Sequence, residues 1–364
     1  MKNGFTTGTC SQAAAKGACL MLATRRIVDE VEIITPSGVK LNLGLVGQKL
    51  GKRFAKCGVI KDSGDDPDVT DRAKICAEVK ISDKQGVTIK GGQGIGKITK
   101  PGLALGVGEW AINPVPRKMI LREAHRFLPR PSLLRSGTSK QEGRGLPKNK
   151  GFEITISVPG GEELAKRTFN PKLGIVGGIS IIGTTGIVEP KSLKAYKASL
   201  ALELDVLKAE GYNKAVLVLG YVGDRFCKEK LGLKDDSIIK IGDHVGFMLR
   251  QCAKKKIKEV LLAGHIGKLI KVANGQFNTH YSFGDNRISS IARYAKLCGA
   301  GKKTIEDISN QATAEATIEI LHKAGLAKVF EKIARDVSTK AEKFVNNKVK
   351  IDCIILSLDG KALS

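Results

Sequence analysis

The sequence predicts an α/β fold class: a mixed α+β amino-terminal domain over residues 1–185, then an α/β domain over residues 186–364 with a mainly parallel sheet. Three observations predict it. Beyond Gly211, short apolar runs at 215–219, 238–241, 260–263 and 351–356 alternate with helical patterns, and helices fill most of 285–346. Repeated strand–helix units imply a parallel sheet with helices on both faces. Earlier in the chain, strand-like runs at 31–35, 38–43, 73–82, 86–90 and 152–158 accompany only two helical stretches. Between these regions lies a β-branched run at 179–182, broken by Gly183-Thr-Thr-Gly186. After it, Pro190 is placed to open a helix, with Leu193, Tyr196, Leu200, Leu204 and Leu207 on one face and Gly211 as its stop.

Taken in order, Gly4-Phe-Thr-Thr-Gly-Thr-Cys10 is a loop entering a thin helix of Ala13, Ala14, Ala15, Gly17 and Ala18. Thr9 and Gln12 fit a capping box, and a helix start ringed by Thr6, Thr7 and Thr9 suits a carboxylate as well as an ordinary cap. A Pro-Ser-Gly turn at 36–38 separates the first two strands. Asp62, Asp65, Asp66 and Asp68 crowd one loop; such crowding is costly unless a cation shares the space, though a solvated turn accounts for it too. The spacing is not that of an EF-hand. Residues 73–82 and 86–90 read as an alternating hairpin. The glycine-rich 91–102 stretch lacks a Gly-Lys-Ser/Thr ending, and Pro101 interrupts any following helix, which argues against a nucleotide P-loop. Asn113-Pro opens a helix through Phe127, and 129–150 reads as a basic surface insertion. Farther on, Asp243 is placed to cap a helix, and the glycine turns at Gly183, Gly220 and Gly264 are expected along one edge of the parallel sheet.

Bulk properties narrow the function classes. No apolar run approaches the ~20 residues needed to span a bilayer. The first residues lack a signal-peptide core, so a cytoplasmic protein is expected. The eight cysteines are scattered, with no Cys-x-x-Cys pair, and the five histidines are dispersed, so neither a metal site nor a disulfide framework is visible. Lys+Arg of 61 against Asp+Glu of 36 gives a net charge of +25, which favours anionic partners unless the lysine excess has no partner at all. With only 5% aromatic residues, stacking on bases has little to draw on. From the residues alone, a nucleic-acid-binding protein and a phosphoryl-transfer enzyme both stay open.

Six motifs in order resemble the CbiD family of cobalt-precorrin-5B methyltransferases. They are Gly4-Phe-Thr-Thr-Gly-Thr-Cys, Lys61-Asp-Ser-Gly-Asp-Asp-Pro-Asp-Val-Thr, Gly91-Gly-Gln-Gly-Ile-Gly-Lys-Ile-Thr-Lys-Pro-Gly-Leu, Ala111-Ile-Asn-Pro-Val-Pro-Arg, the long 169–190 stretch and Gly264-His-Ile-Gly-Lys-Leu. The turn at Gly220-Tyr-Val-Gly departs from the family's pattern, and the 129–150 insertion is longer than usual. The resemblance implies S-adenosylmethionine as methyl donor and an anionic cobalt-bearing tetrapyrrole as acceptor, methylated at ring carbon 1 in anaerobic cobalamin synthesis. It carries no expectation of a protein-bound metal, a nucleic acid or a membrane, and it leaves a homo-oligomer open. On this reading Gly183, Thr184, Thr185, Gly186, Gly220 and Gly223 bind the donor, while Thr6, Thr7, Thr9, Lys61, Asp62 and Arg117 bind the acceptor. Asp65, Asp66 and His265 are the candidates for moving a proton or stabilising charge. Alignment of an activated sulfonium with a nucleophilic carbon is itself worth roughly 7–11 kcal/mol.

Overall fold

A helix of small side chains organises the amino-terminal part of the chain. The computed structural model describes residues 1–128 and 150–364, and the chain divides into two units, Met1–Leu193 and Lys194–Ser364. The first unit contains β1 (Gly4–Phe5), α1 (Thr7–Thr24), β2 (Glu30–Ile34), β3 (Lys40–Gly44), β4 (Val46–Leu50), β5 (Phe54–Ile60), β6 (Lys74–Ser82) and β7 (Gly86–Gly91). It continues through β8 (Lys97–Ile98), α2 (Pro114–His125), β9 (Gly151–Ser157), α3 (Gly161–Lys166), β10 (Ile175–Val176) and β11 (Ile187–Val188). A five-stranded sheet runs β4-β5-β6-β9-β7. Ala13, Ala14, Ala15 and Ala18 of α1 are fully buried in one core with Ala55, Ile75, Ala77 and Ile154 of that sheet. Small side chains let the helix backbone come close: a Cβ at Gly17 would lie 2.5 Å from Leu45 Cδ1.

The second unit contains α4 (Leu193–Ala209), β12 (Lys214–Val218), α5 (Tyr221–Glu229), β13 (Ile238–Lys240), α6 (Val245–Lys254), β14 (Glu259–His265) and α7 (Ile266–Ala273). It ends with α8 (Arg287–Leu297), α9 (Lys302–Ser309), α10 (Ala316–Lys323), α11 (Lys328–Phe344) and β15 (Lys350–Leu356). Its sheet runs β13-β12-β14-β15 and is parallel throughout. Both faces are covered. Ala215, Leu217 and Leu262 face one core with Leu249, Leu269 and Phe330, while Val216, Val218, Leu261 and Ala263 face another with Cys227 of α5. That two-sided burial is why these strands read as continuous apolar runs. The α/β class expected from strand–helix alternation is what the chain forms.

Several local expectations give way to the tertiary structure. β6 and β7 are not a hairpin: β9 lies between them, antiparallel to β6 and parallel to β7, reached from β7 by a connection that includes α2. Alternation reports which face of a strand is buried and not which neighbour it pairs with. The 179–182 run is no sheet strand but makes two isolated bridges, Ile95 with Ile179 and Ile112 with Ile181. Gly183 therefore belongs to the first unit and not to the parallel-sheet edge that Gly220 and Gly264 occupy. Helix α1 is capped by Thr6 and not Thr9; Gln12 donates instead to Ile34 O and to buried Glu123. At α6 the cap position is His244, with no side-chain cap, and Asp243 bonds elsewhere.

Apart from Lys150, the basic 129–150 insertion lies outside the described residues. Six of the eight cysteines are buried and all are free thiols; burial pushes Cys57 and Cys252 up to about 12, so they behave as small apolar groups. Among the described residues no helix is long and apolar enough to cross a membrane.

Candidate functional site

Open parallel sheets bind ligands at the carboxyl ends of their strands, where the direction of strand addition reverses. Here the chain goes from β12 to β13 on one side and then to β14 on the other, so the reversal lies between β12 and β14. Gly220 and Tyr221 follow β12, and His265 ends β14. Gly220 gives α5 no side-chain cap, and the N–H groups of Tyr221, Val222 and Gly223 have no hydrogen-bond partner among the described residues. Tyr221 is 72% exposed beside these open donors. Gly223 serves packing: a Cβ there would lie 2.6 Å from Ala263 O, which lets α5 approach β14.

His265 caps α7. Its Nδ1 accepts the Gly267 N–H at 3.1 Å, which assigns the proton to Nε2, and Nε2 donates to Glu315 Oε2 at 2.8 Å. Glu315 Oε1 in turn accepts the Leu358 N–H at 3.0 Å. The histidine thus ties the end of β14 to the start of α10 and to the loop after β15, with both ring nitrogens engaged.

One strand away, His244 has neither ring nitrogen in a hydrogen bond among the described residues, and its ring centroid lies 5.6 Å from that of Tyr196. Burial, then the nearby Lys197 charge, holds its pKa below the ordinary histidine value. Its neighbour Asp243 accepts from Thr279 Oγ1 at 2.6 Å and pairs with Lys268 at 3.2 Å. Burial opposes ionisation of that carboxyl, but the Thr279 bond and Lys268 together hold it below the usual range.

In the first unit, the glycine turn, the threonine-ringed helix start and the aspartate loop come together as the sequence places them, but they bond mainly to one another. Thr6 Oγ1 accepts the Thr9 N–H at 3.2 Å. Thr9 Oγ1 donates to Gly186 O at 2.6 Å, and Gly8 N–H donates to Ile182 O at 2.9 Å. Thr7 Oγ1 accepts the Ile182 N–H at 2.9 Å and donates to Ile182 O at 3.2 Å. All three threonines are buried. Gly183 has φ +133°, and a Cβ on it would sit 2.2 Å from Thr6 Oγ1, so only glycine keeps this cap. Thr184 and Thr185 are exposed; the Thr185 hydroxyl donates to Ile187 O at 3.1 Å, and Thr184 has no side-chain partner among the described residues.

The aspartates are held likewise. Asp62 pairs with Lys2 at 2.8 Å and accepts the Gly64 N–H at 2.8 Å; the Lys2 bond first, then the Gly64 bond, keep its carboxyl below the usual range. Asp65 accepts the Lys2 backbone N–H at 2.5 Å, and Asp66 accepts the Lys191 N–H at 2.7 Å, each through one oxygen. Lys61 is 1% exposed, bonded to Ser63 Oγ and paired with Asp68 at 2.8 Å, so it is an internal cation and not a surface ligand. Arg117, half-buried in the first turn of α2, has no side-chain hydrogen bond or ion pair among the described residues.

Sequence reasoning passed over Lys2, Glu315, Tyr221 and His244. The first two act through contacts 50 or more residues away. Tyr221 and His244 did carry a signal, since each follows an apolar strand and a glycine. Among the described residues no group of three His, Cys, Asp or Glu side chains is placed to hold a metal ion.

A CbiD family model matches residues 1–190, and a model of the CbiD C-terminal domain matches residues 278–364. The chain is 44% identical over 360 residues to a cobalt-precorrin-5B C(1)-methyltransferase of Thermoanaerobacter sp. (strain X514), covering 98% of this chain and 93% of that one. It is 39% identical over 364 residues to the protein of the same name from Alkaliphilus metalliredigens (strain QYMF), covering 100% and 92%. A crystal structure of the cobalamin biosynthesis protein cbiD from Archaeoglobus fulgidus shares 27% identity with a TM-score of 0.38, covering 80% of this chain and 84% of that one.

Proposed function

The chain belongs to the CbiD family, and on that premise we propose that it methylates ring carbon 1 of cobalt-precorrin-5B, giving cobalt-precorrin-6A in cobalamin biosynthesis. The observation that carries this reading is 44% identity along 98% of the chain to a relative of that name. We take S-adenosylmethionine as the donor; it supplies a methyl group on a positively charged sulfur, which leaves as a neutral thioether.

The chain's own contribution is to bind and orient. At the β12/β14 reversal, the open N–H groups at the start of α5 suit the hydroxyl or carboxylate oxygens of the donor, and the exposed Tyr221 ring suits its flat base. In the first unit, the groups with spare capacity are Arg117, Thr184 and the second oxygens of Asp65 and Asp66. On this reading Arg117, and not Lys61, takes an acetate or propionate of the acceptor, because an unpaired guanidinium gains a partner without breaking one. The +25 net charge raises the local concentration of such a polyanion.

The test is direct. Purified protein, cobalt-precorrin-5B and methyl-labelled S-adenosylmethionine are combined under anaerobic conditions, and the tetrapyrrole is analysed by mass spectrometry. One labelled methyl on the ring is expected. A tetrapyrrole that stays unlabelled while the protein is folded overturns the reading.

A further inference from the structure

We propose that His244 is the group that accepts the proton released when the acceptor is methylated; this rests on the methyltransferase reading above. In that step the sulfur–methyl bond breaks with its electron pair left on sulfur, and a carbon–carbon bond forms from a π pair of the macrocycle. The macrocycle therefore gains one positive charge and becomes neutral in that respect only by losing a proton from a ring nitrogen or carbon. Some base, or water, takes it.

The named candidates are poorly suited. His265 has Nδ1 filled by the Gly267 N–H and its own proton directed to Glu315, so taking up a proton at Nδ1 would break the cap of α7. Asp65 already holds the Lys2 N–H and Asp66 the Lys191 N–H, and both belong to the first unit. His244 is placed differently. It stands at the carboxyl edge of the parallel sheet, at the end of the turn from β13 into α6, and its side chain does not cap that helix. Neither ring nitrogen is used within the described residues, while the ring is fixed on one side by Tyr196.

The groups around it keep it a free base. Lys197 and Tyr196 face it from α4, His280 from the loop after α7, and Asp243 precedes it in the chain. Asp243 would favour a charged imidazole, but its carboxylate is already paired with Lys268 and bonded to Thr279. Burial and Lys197 dominate and favour the neutral ring. A neutral imidazole with an open lone pair at physiological pH is what a proton acceptor requires. Beyond this histidine the proton passes to bulk water, since the site is only half-buried.

Substitutions at His244 and at Lys197, with one control measurement, test the assignment. Wild-type turnover is recorded first across pH; without it the methyltransferase reading fails, and His244 is not at issue. Given wild-type turnover, His244→Gln is expected to bind S-adenosylhomocysteine with unchanged affinity by calorimetry and to lose about a hundredfold in kcat. It should also lose the acid-side limb of the kcat–pH profile. Lys197→Met, which removes a positive neighbour, is expected to keep turnover but move that limb to higher pH, a shift that a structural role would not produce. Should His244→Gln misfold, His244→Asn and the Lys197→Met profile decide. A folded His244 variant with near-wild-type kcat, or a limb that Lys197→Met leaves in place, overturns the proposal.

Discussion

The amino-terminal junction and the carboxyl edge of the parallel sheet are both rich in polar residues and glycine, yet they treat their polar groups in opposite ways. At the junction, Thr6, Thr7, Thr9, Lys61, Asp62 and Asp68 are all bonded within the chain, and the three threonines and Lys61 are buried. At the edge, the N–H groups that open α5 and the His244 nitrogens are left without hydrogen-bond partners among the described residues, and the Tyr221 ring, with the Arg225 guanidinium 5.9 Å from its centroid, stays 72% exposed. A buried polar group without a partner costs roughly 1–3 kcal/mol, so a junction that folds inward must satisfy itself. A ligand edge lies nearer solvent and keeps its donors and acceptors for something else. Polar density in a sequence therefore marks where hydrogen bonds are needed, and the structure tells whether the chain itself supplies them.

The comparison breaks if junction substitutions cost function without costing stability. The largest effect is expected from Asp68→Asn, which leaves the buried Lys61 charge unpaired: about 3–5 kcal/mol, or on the order of 10 °C in Tm. Calorimetric melting reads it, and a Tm within a degree of wild type would mean Lys61 is not held as described. The same pair sets an acid limit. Burial of Asp68 opposes its ionisation, but the Lys61 bond and charge and two bonds from Thr70 more than offset this, so its folded pKa lies below the usual value. The stability it contributes is therefore complete above about pH 4 and falls away as pH drops through the lower folded value. Melting of wild type and Asp68→Asn should converge in that window.

Gly183→Ala comes next. A Cβ would meet Thr6 Oγ1 at 2.2 Å and the residue would keep φ +133°, so roughly 2–3 kcal/mol is expected from strain and a displaced cap. Thr6→Ala removes the cap alone and should cost about 1 kcal/mol, with Tm again the measure. A larger loss for Thr6→Ala than for Gly183→Ala would reverse this account of which residue shapes the turn.

The edge should show the smallest change in stability and the clearest change in binding. Tyr221→Ala is expected to shift stability by less than about 0.5 kcal/mol while weakening S-adenosylhomocysteine roughly tenfold, the worth of one stacked ring. Unchanged affinity would move the donor away from β12. Raising salt from roughly 50 to 500 mM shortens the screening length about threefold and should raise KM for the tetrapyrrole but scarcely affect the donor. Arg117→Gln should reproduce part of that rise at low salt and Lys61→Gln none of it; the reverse pattern would return the acceptor to Lys61.

What the sequence determined by itself was set by local chemistry. Apolar runs buried on both faces announced β12 and β14, shorter or partly exposed ones announced β13 and β15, and their alternation with helices announced the parallel sheet. Alanines at 13, 14, 15 and 18 announced a helix that packs closely, and six motifs in register announced the family. Tertiary structure decided what depends on residues far apart in the chain. β9 entered between β6 and β7 because Phe152, Ile154 and Ile156 fill a space that alternation in the neighbouring strands cannot describe. Gly183 became a partner of Thr6, and Lys61 an internal cation, through contacts that no spacing rule encodes for the first and that burial alone reveals for the second. That His265 has no open nitrogen depended on Gly267 and Glu315, the second of them 50 residues away. Residue type and periodicity fix which groups seek burial or a bond, and only the folded chain fixes which of them have already found one.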